Sequence, residues 1–292
     1  LKEFMATYKE IRGVNIQSLD SDPTAVEGEV WYNASTSKLK MYSSVGAWAT
    51  GGNLNTAKRY GSTAGTQTAG VYFGGSPGST IAEETEEYDG SSWTASGDLN
   101  TGRATAGGTG IQTAALCIGS YPAGAIVESY NGTSWTEIGD LTGGRHNLSS
   151  AGTTTAALAF GGENATAILA ISEEWDGSSW TEGSDMNTGK YASAGAGTQT
   201  SALSMTGDDP PGARTANVES YNGSSWTEVG NVNSARYALA GDGASNTSAI
   251  IAGGIDTAVR AYTEEFDGSS WTEVADLSSA RQQIEGSGTA SL

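Results

Sequence analysis

The chain has 292 residues, with 14 basic side chains against 33 acidic ones and a formal charge of −19. That balance excludes nucleic acid or an anionic membrane as the main partner, because both require a dense basic face. One cysteine, Cys117, and one histidine, His146, exclude a disulfide framework, a cysteine-cluster zinc site and a multi-histidine metal centre, while eight Trp and twelve Tyr exclude a disordered chain.

Residues 1–10 lack the basic-then-apolar pattern of a secretory leader, and no stretch approaches 18 apolar residues. Met5 is a candidate native start. Residues 1–28 read as an N-terminal segment, either an attachment piece or a strap. From residue 29 onward the chain reads as a single domain, 29–292.

The repeat sets the fold expectation. Trp48, Trp93, Trp135, Trp180, Trp226 and Trp271 recur every 42 to 46 residues. The last five close an aromatic-Asp/Asn-Gly-Ser/Thr-Ser-Trp-Thr phrase, as in Tyr88-Asp89-Gly90-Ser91-Ser92-Trp93-Thr94. Asp-Gly or Asn-Gly between apolar alternations predicts a strand, a tight type I′ turn with φ > 0 at both central residues, and a second strand. Two further short strands precede each phrase, the second ending at a glycine pair such as Gly161-Gly162. Each unit of about 45 residues is therefore four strands. The repeated tryptophans are expected in the core. Cys117 stands where another repeat has Ala159, so it is expected as a small strand residue and not a nucleophile.

Six basic residues recur in the same way: Lys58, Arg103, Arg145, Lys190, Arg236 and Arg281. Each lies five residues after an Asp or Asn and seven before a Gly. They mark six innermost strands. Residues 29–48 supply Val30-Trp31-Tyr32, Leu39 to Tyr42 and Trp48 but no innermost strand, and residues 281–292 supply one. The expectation is a six-unit ring closed by three N-terminal strands and one C-terminal strand, which would remove exposed sheet edges. An open array is the alternative, since Thr289 to Leu292 reads as the start of another second strand.

These features resemble the kelch repeat of β-propellers, over about residues 29–292. The resemblance implies an all-β fold, six blades of four antiparallel strands, with loop lengths and small inner-strand residues that depart from the common pattern. Some kelch propellers are copper radical oxidases; one histidine does not suffice for their ligand set. His146 follows Arg145 where other units carry Tyr60, Tyr191 or Tyr237, and reads as a local variant. The acidic residues repeat unit by unit (Glu87, Glu128, Glu174, Glu219 and Glu265; Glu137, Glu182, Glu228 and Glu273), which reads as a solvated strand face and not as a unique catalytic pair. No nucleophile elbow or phosphate loop stands in a strand–helix setting. The expectation is a protein without catalysis, cofactor or metal.

Two recognition features remain. The six basic residues are expected around the channel on one face, where they would focus an anionic group such as an acidic peptide. The alternative is that each pairs with the Asp or Asn five residues earlier. The same face should carry the loops between second and third strands, at residues 76–80, 121–125, 163–168, 208–216 and 255–259, where the repeats differ most. Four of the five prolines fall there, Pro77, Pro122, Pro210 and Pro211. Candidate binding residues in these loops are Pro77, Tyr121, Asn164, Asp208, Asp209, Arg214 and Asp256.

Gly28-Glu-Val-Trp-Tyr-Asn33, Leu39-Lys-Met-Tyr42 and Gly46-Ala-Trp48 resemble a phrase of bacteriophage tail-fibre and other virion proteins. Asn187-Thr-Gly-Lys-Tyr191 with Ala196-Gly-Thr-Gln-Thr200 resembles kelch-like proteins of marine phages. This resemblance implies a virion or extracellular surface component that binds a cell-surface glycan, a cell-surface protein or another virion protein. The alternatives are a scaffold in the cytoplasm of the producing cell that holds an acidic peptide, and a glycan-active enzyme.

Overall fold

The computed structural model describes the backbone of residues 17–19, 30–33 and 38–41, and all atoms of residues 48–121, 124–210 and 212–288. Two compact units divide between Ala47 and Trp48.

The second unit is built from five four-stranded antiparallel sheets, each a simple meander in chain order. The first holds β4 (Ser62–Thr66), β5 (Ala69–Phe73), β6 (Thr85–Tyr88) and β7 (Trp93–Ala95), and the second β8 (Gly107–Ile111), β9 (Ala114–Ser120), β10 (Gly124–Tyr130) and β11 (Trp135–Glu137). The third holds β12 (Ser149–Thr153), β13 (Ala156–Phe160), β14 (Ser172–Trp175) and β15 (Trp180–Glu182). The fourth holds β16 (Ala194–Thr198), β17 (Ser201–Met205), β20 (Val218–Tyr221) and β21 (Trp226–Glu228), with a two-stranded insert, β18 (Asp208–Asp209) and β19 (Ala213–Arg214), between its middle strands. The fifth holds β22 (Ala240–Ser245), β23 (Ser248–Ala252), β24 (Thr263–Phe266) and β25 (Trp271–Glu273).

The innermost strands stand side by side: β4 by β8, β8 by β12, β12 by β16, and β16 by β22. Apart from Ile111 and Asp242 their residues are Gly, Ala, Ser and Thr, because five backbones converge there; a β-carbon on Gly108 would lie 2.5 Å from the Thr63 carbonyl oxygen. Hydroxyls stitch neighbouring blades together: Ser62 Oγ donates to Ala106 O at 2.8 Å and Ser150 Oγ to Gly108 O at 3.0 Å. Larger residues fill the space between blades farther out. Trp135, Trp180, Trp226 and Trp271 are buried, and Phe73 meets Trp135 edge-on at 4.8 Å. Trp48, 46% exposed, departs from the expected core position. Cys117 is buried in β9, and burial pushes its thiol up to about 12.

The hairpin turns take another form than the type I′ turn expected. Four residues, Asp89 to Ser92, separate the paired Tyr88 and Trp93. Gly90 has φ +93°, whereas Asp89 is not left-handed. Asp89 Oδ1 accepts the Ser91 and Ser92 amides at 2.8 Å each. The side chain thus completes the turn, and these bonds, Ser92's first, hold the carboxyl down at about 2.

The expected sixth blade has no four-stranded sheet among the described residues. Among the described residues there are five four-stranded blades. The N-terminal strands form a three-stranded sheet of their own, in which β2 (Val30–Asn33) and β3 (Lys38–Met41) are antiparallel as expected. The other edge of β2 is taken by β1 (Gln17–Leu19), in parallel. Residues 281–288 form no strand, but they touch inner strands of the unit. Thr63 Oγ1 donates to Gly286 O at 3.0 Å, the bond that Ser150 makes to Gly108, and the Gly288 amide donates to Asp242. Trp48 heads no strand, yet its indole donates to Thr263 Oγ1 at 3.1 Å, as Trp135 does to Thr85 at 2.9 Å. The remainder of residues 1–28, and Thr289 to Leu292, lie outside the described residues.

Candidate functional site

The six basic residues lie elsewhere than expected. Lys58, Arg103, Arg145, Lys190 and Arg236 have side chains at 1% exposure or less, and each faces a glutamate on the third strand of its own blade. The partners are Glu86, Glu128, Glu173, Glu219 and Glu264. Arg236 meets Glu264 at 2.7 Å and Lys190 meets Glu219 at 3.4 Å. The same carboxylate caps the preceding bend: Glu264 accepts the Asn233 amide at 2.7 Å and Asn233 Nδ2 at 2.8 Å, and Glu128 accepts Asn100 in the same way. Burial pulls Lys190 down to about 8 against the pull of Glu219. These are internal struts and not a cationic ring open to a peptide; only Arg281 is exposed.

The Asp or Asn five residues earlier is not the partner either. Asp98, Asp140, Asn231 and Asp276 each accept a third-strand amide, as Asp276 does from Thr263 at 3.2 Å. The expected solvated glutamate face is corrected in part: Glu137, Glu182, Glu228 and Glu273 are exposed as expected, but the third-strand set is not. Glu128 and Glu219 are fully buried. Glu87 and Glu174 accept the Tyr130 and Tyr221 hydroxyls at 2.6 and 2.5 Å.

What the unit offers to solvent is the channel and one of its mouths. Two residues past each basic position the chain turns left-handed: Tyr60, Thr105, Asn147, Ala192, Ala238 and Gln283 have φ of 50–60°. Their backbones bond head to tail, Thr105 N to Tyr60 O, Asn147 N to Thr105 O, and on to Gln283 N to Ala238 O. Gln283 Nε2 reaches Tyr60 Oη at 2.6 Å. These six residues rim a hollow of about 60 Å³. Behind it a channel of about 250 Å³ is lined by small inner-strand residues together with Asp242 and Glu285. Burial pushes Asp242 up to about 7 and Glu285 up to about 8. Glu285 is solvent-exposed through the channel, and that water opposes its shift.

The variable loops surround this mouth. Short bridges tie each inner-strand start to the loop after the second strand: Arg59 to Ser76, Ala104 to Tyr121, His146 to Glu163, Tyr191 to Asp208 and Tyr237 to Ile255. The residues brought together form an arc of rings and charges. Tyr121, 57% exposed, meets His146 edge-on at 5.7 Å. His146 Nε2 lies 3.3 Å from Glu163 Oε1, which also accepts Asn147 Nδ2 at 3.2 Å. Tyr191 and Tyr237 stand 6.4 Å apart, and the Arg214 guanidinium covers the Tyr237 ring at 5.1 Å. Asp208, the first residue of the β18–β19 insert, is buried with Oδ1 lacking a hydrogen-bond donor. Its burial raises its pKa, while Tyr191 and Arg214 oppose the rise.

Of the loop candidates, Tyr121, Asp208 and Arg214 join this arc. Asp209 pairs with Ala213 in the insert. Asn164 caps its own loop, accepting the Thr166 and Ala167 amides at 2.9 and 3.0 Å. Asp256 accepts from Arg260 Nε at 2.7 Å, and that bond holds its carboxyl far below the usual range. Pro77 is half-buried. Pro122 and Pro211 lie outside the described residues. Sequence reasoning missed Glu163 and the Tyr191–Tyr237 contact, which joins residues 46 positions apart on neighbouring blades. The available signal was the residue after each basic one, which varies from Ala to His to Tyr. Among the described residues no three His, Cys, Asp or Glu side chains gather as cation ligands.

No family model and no curated protein matches the chain. Among solved structures it is similar to "Structure of YjhT", with a TM-score of 0.67 and 15% identity over 80% of this chain and 88% of that one. At that identity the likeness concerns architecture alone, and with the five radial meanders it makes this chain an all-β propeller with four-stranded antiparallel blades.

Proposed function

We propose that the protein is a non-enzymatic binding or structural propeller of kelch type, with the mouth arc Tyr121–His146–Glu163–Tyr191–Asp208–Tyr237 as its recognition face. The observation that carries this reading is the contrast between scaffold and mouth. The repeated basic residues Lys58 to Arg236 and their third-strand glutamates are consumed in internal pairs, while rings and charges that differ from blade to blade collect at one opening. Flat tyrosine faces beside carboxylate and guanidinium groups suit a glycan, or a small polar protein epitope, on a cell or virion surface. The phage-like phrases of residues 28–48 and 187–200 support a virion tail-fibre or surface component that contributes to host or inter-subunit recognition. In this reading six blades complete the ring.

Glycan-array and whole-cell binding by wild type and by Tyr191→Ala/Tyr237→Ala test the proposal. Binding that the double variant reduces at least tenfold supports it. Binding to no surface, or binding indifferent to the arc, removes it. One observation favours a second reading, a glycan-active enzyme: Asp242 and Glu285 are non-repeated carboxyls raised toward neutrality in one channel. Turnover of glycans that is lost in Asp242→Asn with binding retained would favour it.

A further inference from the structure

We infer that Asn131 and Asn222 are self-modification sites: in the folded chain each loses its side-chain amide as ammonia and becomes the aspartate that the other described blades already carry at that position.

The turn between third and fourth strands is one structure with two chemistries. Asp89, Asp176 and Asp267 open it in three described blades, and Asn131 and Asn222 open it in the other two. The glycine that follows has φ between 88° and 93° in every copy, so the turn itself imposes an Asp-Gly or Asn-Gly pair. In each copy one side-chain oxygen accepts two amides further along. At Asp176 the Ser178 and Ser179 amides lie at 2.8 Å each. At Asn131 the Thr133 and Ser134 amides lie at 2.9 Å each, and at Asn222 the Ser224 and Ser225 amides at 3.0 Å each. Backbone amides only donate, so the atom facing them is the carboxamide oxygen.

This arrangement activates an asparagine that precedes glycine. Attack of the Gly132 nitrogen on Asn131 Cγ closes a five-membered ring, and glycine has no side chain to hinder the approach. As the N–Cγ bond forms, the Gly132 amide proton passes to water and the carbonyl electron pair moves onto Oδ1. The Thr133 and Ser134 amides are already in place to receive that oxyanion. Around Asn222 Oδ1 the Ser224 hydroxyl adds a third donor at 3.0 Å. The oxyanion then collapses, the Cγ–Nδ2 bond breaks, and the nitrogen leaves as ammonia with a proton from water. At Asn131 the Ser134 hydroxyl, 3.3 Å from Nδ2, relays that proton. Water next adds to Cγ, the Cγ–N bond to glycine breaks, and the glycine nitrogen recovers a proton. The net change is asparagine plus water to aspartate plus ammonia. Asn131 and Asn222 are both exposed to the water this requires.

The fold also selects the product. Ring opening at Cγ uses the same two amide donors and restores the ordinary main chain. Opening at the other carbonyl gives isoaspartate, which adds a methylene to the main chain between strand ends that are fixed. Tyr130 pairs with Trp135 across this turn, and their rings stand 4.9 Å apart. Aspartate fits unchanged and holds the amides more firmly, because charge-assisted bonds are about twice as strong as neutral ones. Asp89 and Asp267 show the effect: bonds from Ser92 and Ser270, foremost among several, hold their carboxyls down at about 2.

The test incubates the full chain at mildly alkaline pH and maps it by mass spectrometry with electron-transfer fragmentation, which separates aspartate from isoaspartate. The free peptide acetyl-Tyr-Asn-Gly-Thr-Ser-Trp-amide, residues 130–135, is the reference. Asn164 is the internal control, since its Oδ1 accepts the Thr166 and Ala167 amides in the same way but Ala165 follows it. Asn131 and Asn222 should convert at least tenfold faster than Asn164, with aspartate as the main product in the folded chain and isoaspartate as the main product in the peptide. Asn131→Asp/Asn222→Asp should melt no lower than wild type. Three results would each overturn the inference: an unconverted chain under conditions that convert the peptide, isoaspartate as the main product in the folded chain, or a lower melting temperature for the double variant.

Discussion

Glu264→Gln isolates the most consequential interaction of the scaffold. Glu264 is 2% exposed and Arg236 is fully buried, with Nη1 2.7 Å from the carboxylate and with Nε and Nη2 lacking any acceptor. Glutamine keeps the shape and keeps an acceptor for the Asn233 amide, so the lost quantity is the charge that compensates the guanidinium. Breaking a buried pair from one side costs about 3–5 kcal/mol, since the surviving ion stays desolvated. In a unit of this size that is a fall in melting temperature of roughly 6–20 °C. Adding Arg236→Met removes the stranded charge, and the double variant should recover about 2 kcal/mol or more over Glu264→Gln. Urea unfolding followed by tryptophan fluorescence reads all three proteins. A loss under about 1 kcal/mol for Glu264→Gln, or no recovery in the double variant, would refute the strut.

The channel and rim give further tests. Asp242 titrates near 7 in the folded protein against an ordinary value of 3.8, so the fold holds more protons than the unfolded chain between about pH 4 and 7 and loses stability as pH rises through that window. Asp242→Asn should therefore raise stability at pH 8 by about 1–2 kcal/mol, discounted for channel water, and leave it unchanged near pH 4; equal effects at both pH values would sink the assignment. Ala192 and Ala238, at φ 50° and 54°, hold a conformation that costs about 1–2 kcal/mol outside glycine, so Ala192→Gly should gain about 0.5–1 kcal/mol after its entropy loss, and a lower melting temperature would contradict this. Trp271→Ala empties a site 7% exposed where the ring stacks on Phe266 at 5.0 Å; calorimetry should show a loss of about 3–5 kcal/mol, and a loss below 1 would mean that the blades pack without it.

The blade was legible because its determinants are local. Turn glycines, the Trp period and alternating strands all lie within a few residues of one another, and the glycine pair 74–75 takes φ of 66° and 88° where a β-carbon on Gly74 would meet the Arg103 carbonyl at 2.6 Å. The fate of the basic residues was not legible. Arg103, in the segment leading into β8, and Glu128 on β10 are 25 positions apart, and only the register of β8, β9 and β10 brings them together. The turn type was misjudged because the Asp89 carboxylate stabilises a longer loop than the Asp-Gly pair alone suggests. The sixth blade expected from the period of Arg281 has no four-stranded sheet among the described residues, and the β1–β2 pairing that takes up the N-terminal strands has no periodic signal. The mouth loops were found by their variation, while the ring contacts across blades depend on how neighbouring sheets splay.

The head-to-tail bonds from Tyr60 to Gln283 have a consequence for how such proteins diversify. Every junction in that chain uses the same two backbone atoms and no particular side chain. A blade together with its mouth loop can then be exchanged as a cassette, because the incoming piece meets identical amide and carbonyl partners on both sides. New surface chemistry arises by shuffling whole units, and the rim geometry survives each exchange.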